Sequence, residues 1–567
     1  MGSRAVVNIG VQQFDKVREQ NAFYIDKTGF IKEWWEGGSD VTLITRPRRF
    51  GKTLNMSMVD CFFSNKYAGR GDLFEGLAIW KEEQYRLLQG TYPVIFLSFA
   101  NIKADCYKDM VYMITEVVSE LYGQNRYLLE GSLLSGNEKE YYESIKPGIE
   151  SRVARGAIHS MANFMSRYFG KKVIIILDEY DTPMQEAWLF GYWDEAAGFF
   201  RGLFNASFKT NGYMERGLIT GITRISKESV FSDLNHIDVI TTTSDEYAIS
   251  FGFTEEEVFR ALDNMGMGSE KQGVKHWYDG FSFGRHTDIY NPWSVVSFIA
   301  KNGKYDAYWS NTSGNGLVNS LVQRGNTCIK KTMEKLIQGE SFEAVIDEQV
   351  VFTQLNGNAD AVWSLLLATG YLKVVGMVKR GADEETCYTL ALTNFEVARM
   401  FRRMVKGWFE GGSTQEHYNE FIQSLLNDNV RKMNTFMNKV ALETFSSFDS
   451  GNKPSEAAEP ERFYHGFVLG MVVSLADRYK VRSNRESGYG RYDIMIEPID
   501  RSAKAFIIEF KVLDPDDEEE TLEDTIANAH RQIEQKRYEA ELTASGFSPG
   551  QIRKYAFAFQ GKKCLIG

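Results

Sequence analysis

The sequence predicts an α/β protein of several domains, with a parallel sheet in its N-terminal half and a smaller α/β fold at its C-terminus. Three observations carry that expectation. A short apolar strand at residues 41–45 runs through an Arg-rich loop into Gly51-Lys52-Thr53. A second apolar run, Val173–Leu177, ends in the adjacent carboxylates Asp178 and Glu179. Beyond a Gly- and Pro-bearing stretch near residue 450, Asp493 and the triplet Glu509-Phe510-Lys511 fall on two neighbouring strand-like segments. Continuous apolar runs suit strands covered on both faces, and strand and helix patterns alternate through the first half.

In chain order, residues 7–35 pass from a short apolar start through Phe23-Tyr24-Ile25-Asp26-Lys27 into a helix-like IKEWWEGG that Gly37-Gly38 stops. The loop Arg46–Thr53 then has the form of a phosphate cradle. A helix beginning near Gly51 points free N–H groups and its positive dipole end at whatever the loop holds. Gly51 lets the backbone approach a phosphate, Lys52 reaches the terminal phosphates, and the Thr53 hydroxyl ligates Mg²⁺. Against the pattern G-x-x-x-x-G-K-[ST], the first glycine is replaced by Arg46, and Pro47 removes one N–H donor. Asp178 is expected to hold Mg²⁺ through water, and Glu179 to orient the attacking water.

Pro93–Phe99 and Gly217–Thr223 read as further buried strands, and residues 107–169 as a helical insertion. Thr254 and Glu257 form a capping box that opens a small helical lid running to about residue 315. The aromatic cluster Trp277, Tyr278, Phe281, Phe283, Tyr290 and Trp293 is read as packing rather than a base-stacking platform. Residues 316–410 alternate helix and strand: Ser364–Gly370 ends a helix, and Tyr371–Met377 and Tyr388–Thr393 are two strands, a winged-helix-like arrangement read as linking domains. Amphipathic helices follow over 411–450, and Ser447–Pro460 is a polar linker.

After the linker, Glu461–Ala476 reads as a helix and Ser487–Glu497 as a strand entered through a Gly-rich turn. Ala505–Val512 is its expected hairpin partner across Asp500-Arg501-Ser502. Side chains alternate along a strand, so Glu509 and Lys511 share a face. With Asp493 on that face, two carboxylates offer hard oxygens to Mg²⁺ and Lys511 positions or deprotonates an attacking water. In the helix pattern of Ala529–Tyr538, Gln532 and Lys536 share a face, suited to a substrate phosphate or to orienting the site. Lys554–Gly561 reads as a last strand. The run Asp514–Asp524, with eight carboxylates, is expected to be a solvated loop.

Taken together, Tyr24-Ile-Asp-Lys-Thr28, the loop Arg46–Thr53, Asp178-Glu-Tyr-Asp181, Trp277-Tyr-Asp-Gly280 and Tyr290-Asn-Pro292 resemble the predicted AAA-like ATPases found in many bacteria. The resemblance implies a P-loop NTPase fold with ATP as ligand, an Arg-rich loop as its normal form, and frequently a nuclease-like C-terminal domain. It implies a nucleotide set of Arg46, Arg48, Arg49, Gly51, Lys52, Thr53 and Asp178, with Arg224, or alternatively Thr223, sensing the γ-phosphate. It also places Asp26 and Lys27, which by their residues alone read equally as a surface pair, beside the nucleotide, and the aromatic cluster in the lid core. The D…E-x-K arrangement resembles the PD-(D/E)XK nuclease superfamily, with Tyr492 where the nominal proline stands. That likeness implies a restriction-endonuclease-like fold, catalytic roles for Asp493, Glu509, Lys511 and Gln532, and Glu461 as an additional metal ligand.

Composition sets the bounds. A chain of 567 residues exceeds what one core serves, and 43% hydrophobic with 25% charged residues is the balance of a folded protein. A net charge of −11 and a pI near 5.4 argue against non-specific coating of nucleic acid, while a local basic groove is permitted. The five cysteines form no C-x-x-C pair and the seven histidines no i,i+4 pair, as expected of a reducing compartment without a zinc site. The longest apolar run, residues 466–476, is about half a bilayer span. The expectation is a cytoplasmic protein without a membrane partner. It comprises an ATPase core (1–250), a lid (251–315), a linking region (316–450) and a nuclease-like domain (451–567). ATP and Mg²⁺ would govern cleavage of nucleic acid, DNA favoured, with homo-oligomerisation through the ATPase module and defence against foreign DNA as the setting. The alternative is an ATP-dependent switch or scaffold whose nuclease-like fold binds without cutting.

Overall fold

The computed structural model describes residues 7–209, 211–224, 237–310, 316–323, 325–347, 355, 358–380, 384–408, 413–444, 458–487, 490–513, 519–560 and 563–567. The chain divides into two compact units, one of residues 1–313 with 343–397, the other of residues 314–342 with 398–567.

The first unit is built on a five-stranded parallel sheet. Its strands are β1 (Val41–Thr45), β2 (Val94–Ser98), β3 (Val173–Asp178), β4 (Met214–Gly221) and β5 (Ile237–Ile240), in the order β2-β3-β4-β1-β5. Every residue of β1 and β3 is buried, which explains their uninterrupted apolar runs. Because β4 lies between β1 and β3, Thr45 pairs with Gly221 and Leu177 with Ile219. The loop after β1, the acids after β3 and the residues after β4 therefore leave the sheet at the same carboxyl edge, where ligands of open parallel sheets bind. The expected insertion forms helices Tyr107–Gln124, Gly136–Ser144 and Ser151–Phe169.

The lid region contains helices Glu255–Asn264, Lys271–Tyr278 and Pro292–Ala300, the first opened by the Thr254/Glu257 capping box. It also contains a small sheet that the sequence did not suggest, β6 (Phe253–Thr254), β7 (Phe281–Phe283) and β8 (His286–Tyr290), ordered β6-β8-β7. The aromatic cluster is packing, as expected. Tyr278 and Tyr290 are fully buried, and Phe281 and Phe283 meet the Phe50 ring at 4.8 and 5.4 Å.

Downstream come helices Gly316–Gln323 and Thr327–Ile337, β9 (Phe342–Val345), helix Ala359–Ala368, β10 (Leu372–Arg380) and β11 (Glu385–Leu392), the three strands forming a sheet ordered β10-β11-β9. A separate linking body over 316–450 is corrected. Residues 343–397 belong to the first unit because Glu396 is buried there, accepting from Ser294 Oγ (2.8 Å) and from the N–H groups of Trp309 and Ser310. Helix Thr327–Ile337 belongs to the second unit. Its Glu334 accepts from Ser483 Oγ, and Gln338, which caps its C-terminus, donates to the Val481 carbonyl (2.9 Å).

The second unit carries a mixed sheet of β12 (Tyr479–Ser487), β13 (Gly490–Pro498), β14 (Ala505–Val512), β15 (Ile552–Gln560) and β16 (Lys563–Ile566), hydrogen-bonded in that order. Strands β14 and β15 are parallel and the other neighbours antiparallel. The open side of β16 is closed by Asn434 and Asn438, one turn apart on helix Val430–Thr444. Each amide side chain both donates to and accepts from the backbone of Ile566 or Cys564 at 2.7–2.9 Å. The acidic run is in part a correction. Glu519 is buried, accepting from Thr525 Oγ1 (2.7 Å) and Asn528 Nδ2 (2.8 Å), and Asp524 completes a capping box with Thr521. Residues 514–518, and the linker up to residue 457, lie outside the described residues. Among the described residues no helix is long and apolar enough to cross a membrane.

Candidate nucleotide and nuclease sites

Helix Lys52–Phe63 starts at Gly51, whose φ of 81° suits glycine, and no side chain caps its first N–H groups. A methyl group at Gly51 would meet nothing within 4 Å, so the space above the turn is open. Lys52 is buried and its Nζ donates to the carbonyls of Arg46 and Pro47, both at 3.0 Å. Burial lowers its pKa, and the nearby Glu179, Asp178 and Asp181 work the other way. Thr53 Oγ1 donates to Asp178 Oδ2 (2.8 Å), and Asp178 Oδ1 accepts from Thr220 Oγ1 (2.7 Å). The hydroxyl and the carboxylate expected to share a Mg²⁺ ion are thus adjacent. An uncapped helix start, open space above it, a lysine and a Thr–Asp pair are a donor set that fits a nucleotide phosphate with Mg²⁺.

The three loop arginines diverge. Arg46, expected to touch the nucleotide, is corrected to a brace. It is fully buried, donating to the carbonyls of Thr45 (2.9 Å), Thr241 (2.6 Å) and Glu246 (3.2 Å), with its guanidinium 4.5 Å from the Phe283 ring centre. Arg48 is half-buried and donates to Gln185 Oε1 (3.3 Å). Arg49 is exposed and lies over the Trp293 ring at 4.3 Å. The Arg48 carbonyl accepts from Asn291 Nδ2 (3.2 Å) and Trp309 Nε1 (3.0 Å), so the lid grips this loop by its backbone. Asn291 also caps helix Pro292–Ala300, which gives Tyr290-Asn-Pro its physical meaning.

Two residues hold strained backbone at this edge: Arg49 has φ 65° and Glu179 φ 51°. Glu179 accepts from Thr182 Oγ1 at 3.3 Å. Of the two candidate sensors, Thr223 is occupied internally, its hydroxyl donating to Asp181 Oδ2 (2.8 Å). Arg224 is half-buried at the next position, and residues 225–236 lie outside the described residues. Asp26 and Lys27, expected beside the nucleotide, are instead a structural clasp. Asp26 accepts from Thr28 and from the Ala78 N–H, while Lys27 Nζ donates to Glu257 (2.7 Å) and to the Ile249 carbonyl (2.8 Å).

In the second unit, Ile494 pairs with Ile508 and Met495 with Ile507, so the antiparallel register continues to set Asp493 opposite Glu509. Asp493 Oδ2 accepts from the Phe510 N–H (2.8 Å). Glu509 is buried; its Oε1 accepts from Gln532 Nε2, which also donates to Tyr538 Oη (3.0 Å). Its Oε2 is buried without a partner. Burial and the facing Asp493 push Glu509 up to about 8, and burial pushes Asp493 up to about 6, while Lys511 pulls both down. A buried and a half-buried acid facing each other, one with an oxygen left over, fit a divalent cation.

Lys511 is half-buried beside this pair, and Lys536 is exposed. Glu461 lies on helix Ala458–Leu475 with its side chain outside the described residues. The sequence reading missed Lys331, whose charge also acts on Asp493 from helix Thr327–Ile337. Its only sequence signal was a polar face shared with Glu334 and Gln338, which reads equally well as solvated surface.

Residues 8–231 match the family model described as predicted AAA-ATPase, and residues 459–567 match that of the PD-(D/E)XK nuclease superfamily. The chain carries both domains. A protein of Azotobacter chroococcum mcd 1, described as an uncharacterized protein in the vnfD 5′ region, is 26% identical over 399 residues, covering 70% of this chain and 69% of that one. Among solved structures, the Walker-type ATPase of Pyrococcus abyssi is similar over 67% of this chain and 96% of its own, at 12% identity and a TM-score of 0.37.

Proposed function

We propose that this protein is an ATP-binding, ATP-hydrolysing regulator joined to its own metal-dependent nuclease, which hydrolyses phosphodiester bonds in nucleic acid, DNA favoured. The observation that carries the nuclease half is the buried, unpartnered Glu509 Oε2 opposite Asp493. Those two carboxylates would hold Mg²⁺, which when bound supplies positive charge to the scissile phosphate. Gln532 holds Glu509 by its other oxygen, and Tyr538 holds Gln532 in turn, so the carboxylate is presented in one orientation. The Phe510 N–H fixes Asp493 in the same way. Lys511 would orient the attacking water as a charged N–H donor.

In the first unit, the helix start at Gly51 and Lys52 would bind the phosphates of ATP, Thr53 and Asp178 would hold its Mg²⁺, Glu179 would orient water and Arg224 would sense the terminal phosphate. Nucleotide state would bias the nuclease-like domain by population shift. Assembly through the ATPase module, a cytoplasmic location and a defensive role belong to the same proposal. The nuclease test is cleavage of circular DNA, linear DNA and RNA by the full chain in Mg²⁺ or Mn²⁺. Cleavage by the wild type that Glu509→Ala loses supports the reading. Binding without cleavage in either metal would transfer the domain to a scaffolding role.

A further inference from the structure

A run of polar contacts at the carboxyl edge of the first unit's sheet has no part in the roles assigned above. Asp181 is fully buried, and its Oδ2 accepts from the N–H groups of Ile222 (3.0 Å) and Thr223 (2.9 Å), from Thr223 Oγ1 (2.8 Å) and from Gln185 Nε2 (3.0 Å). The neighbouring Tyr180 Oη donates to the Thr223 carbonyl (2.8 Å). The residues leading into Arg224 are therefore held by the segment that follows β3. Gly221 makes the approach possible, because a methyl group there would lie 2.7 Å from Asp181 Oδ1 and 2.6 Å from the Tyr180 ring.

The far side of Gln185 points to the loop after β1. Its Oε1 accepts from Arg48 Nη2 at 3.3 Å. A primary amide offers one donor end and one acceptor end, and this one gives the donor to a carboxylate and the acceptor to a guanidinium. Reversing it would set like against like at both ends, so its orientation is dictated by its neighbours. The result is a continuous path from the loop arginine, through Gln185 and Asp181, to the backbone immediately before Arg224. The Arg48 link is the longest bond on that path, and a phosphate offers a guanidinium a shorter, charge-assisted partner.

We propose that Gln185 and Asp181 are positioning residues that let the site distinguish ATP from ADP, by coupling the engagement of Arg48 to the placement of residues 222–224. A terminal phosphate that draws Arg48 away releases the Gln185 amide, and the loop held by Asp181 readjusts with Arg224. The inference rests on the reading of the first unit as an ATP site. Coupling of this kind is reciprocal, so it must appear in binding equilibria.

The test is calorimetric titration of the full chain, in Mg²⁺, with ATP and with ADP, for the wild type, Gln185→Met, Arg48→Ala and the double variant. Gln185→Met keeps the volume and removes both hydrogen bonds. Asp181→Asn is the second variant, which keeps an acceptor for the Thr223 N–H should Gln185→Met fail to fold. The expected result is an ATP-over-ADP preference in the wild type that falls about tenfold in Gln185→Met, the worth of one charge-assisted bond. The ADP affinity stays within about twofold and the double variant loses no more than the larger single loss. Equal losses for both nucleotides, an unchanged ratio, or no preference in the wild type would overturn the relay while leaving the ATP site standing. A wild type that binds neither nucleotide would remove both.

Discussion

The candidate nucleotide site and the candidate metal centre differ in what their polar groups lack. In the first, the groups expected to meet a ligand already have protein partners: Lys52 two carbonyls, Thr53 the Asp178 carboxylate, Arg48 the Gln185 amide. In the second, Glu509 keeps one carboxylate oxygen buried and unpartnered. A nucleotide must therefore exchange existing bonds for new ones, whereas a cation completes a set that is one partner short. Exchange suits a reversible switch, because Lys52, Thr53 and Arg48 are each partnered without a ligand; an incomplete set suits a resident ion.

The largest effect that would sharpen this contrast is at Glu509. Mn²⁺ should raise the unfolding temperature of the wild type, and Glu509→Ala should abolish both that rise and, by about a thousandfold, any cleavage. A metal-induced shift that survives the substitution would break the contrast. Gln532→Ala leaves both carboxylates but frees Glu509 to turn. It should weaken Mn²⁺ binding about ten- to a hundredfold in a direct titration, and an unchanged affinity would make Gln532 a packing residue.

Glu396, which accepts from Ser294, Trp309 and Ser310, has its own titration. Burial pushes Glu396 up from 4.5 to about 7. Its folded-state pKa is raised, so the stability it contributes is fully present below about pH 4.5 and is lost as pH rises through about 7. The loss is on the order of 3 kcal/mol. Urea midpoints between pH 5 and 8 should fall in the wild type, and that component should be absent in Glu396→Gln. Parallel profiles would show that Glu396 is already ionised in the fold. The smallest effect is expected at Lys331. In a Glu509→Ala background that prevents cutting, Lys331→Ala should weaken DNA binding a few-fold and lower the salt slope by about 0.9. An unchanged slope would mean that Lys331 acts on Asp493 and never meets phosphate.

The buried strands were legible because a strand covered on both faces has few alternatives to an apolar run; β1 and β3 are the clear cases. The Glu509 and Lys511 face followed from strand period alone, whereas the register that sets Asp493 opposite depends on the β13–β14 pairing, which the period does not give. Arg46 was misread because its pattern position marks a loop, while its burial under Phe283 is set by residues more than two hundred positions away. Thr521-x-x-Asp524 carried a local capping signature that a solvated-loop reading passes over, while Glu519 was hidden in the charge run because nothing local says which acid meets Thr525 and Asn528. The asparagines that close β16, and Lys331, were invisible for the same reason. Each acts on an element distant in sequence, and only tertiary contact gives it a role.

The most direct measurement of the central claim is the nucleotide response of cleavage by the full chain, in saturating Mg²⁺, with and without ATP, for the wild type and Lys52→Ala. Lys52 should be worth at least about thirtyfold in ATP affinity, as expected when a buried charge loses its place against phosphate. The account predicts cleavage that changes with ATP in the wild type and is indifferent to it in Lys52→Ala. Cleavage that ignores ATP in the wild type, or that responds equally in both proteins, would contradict it.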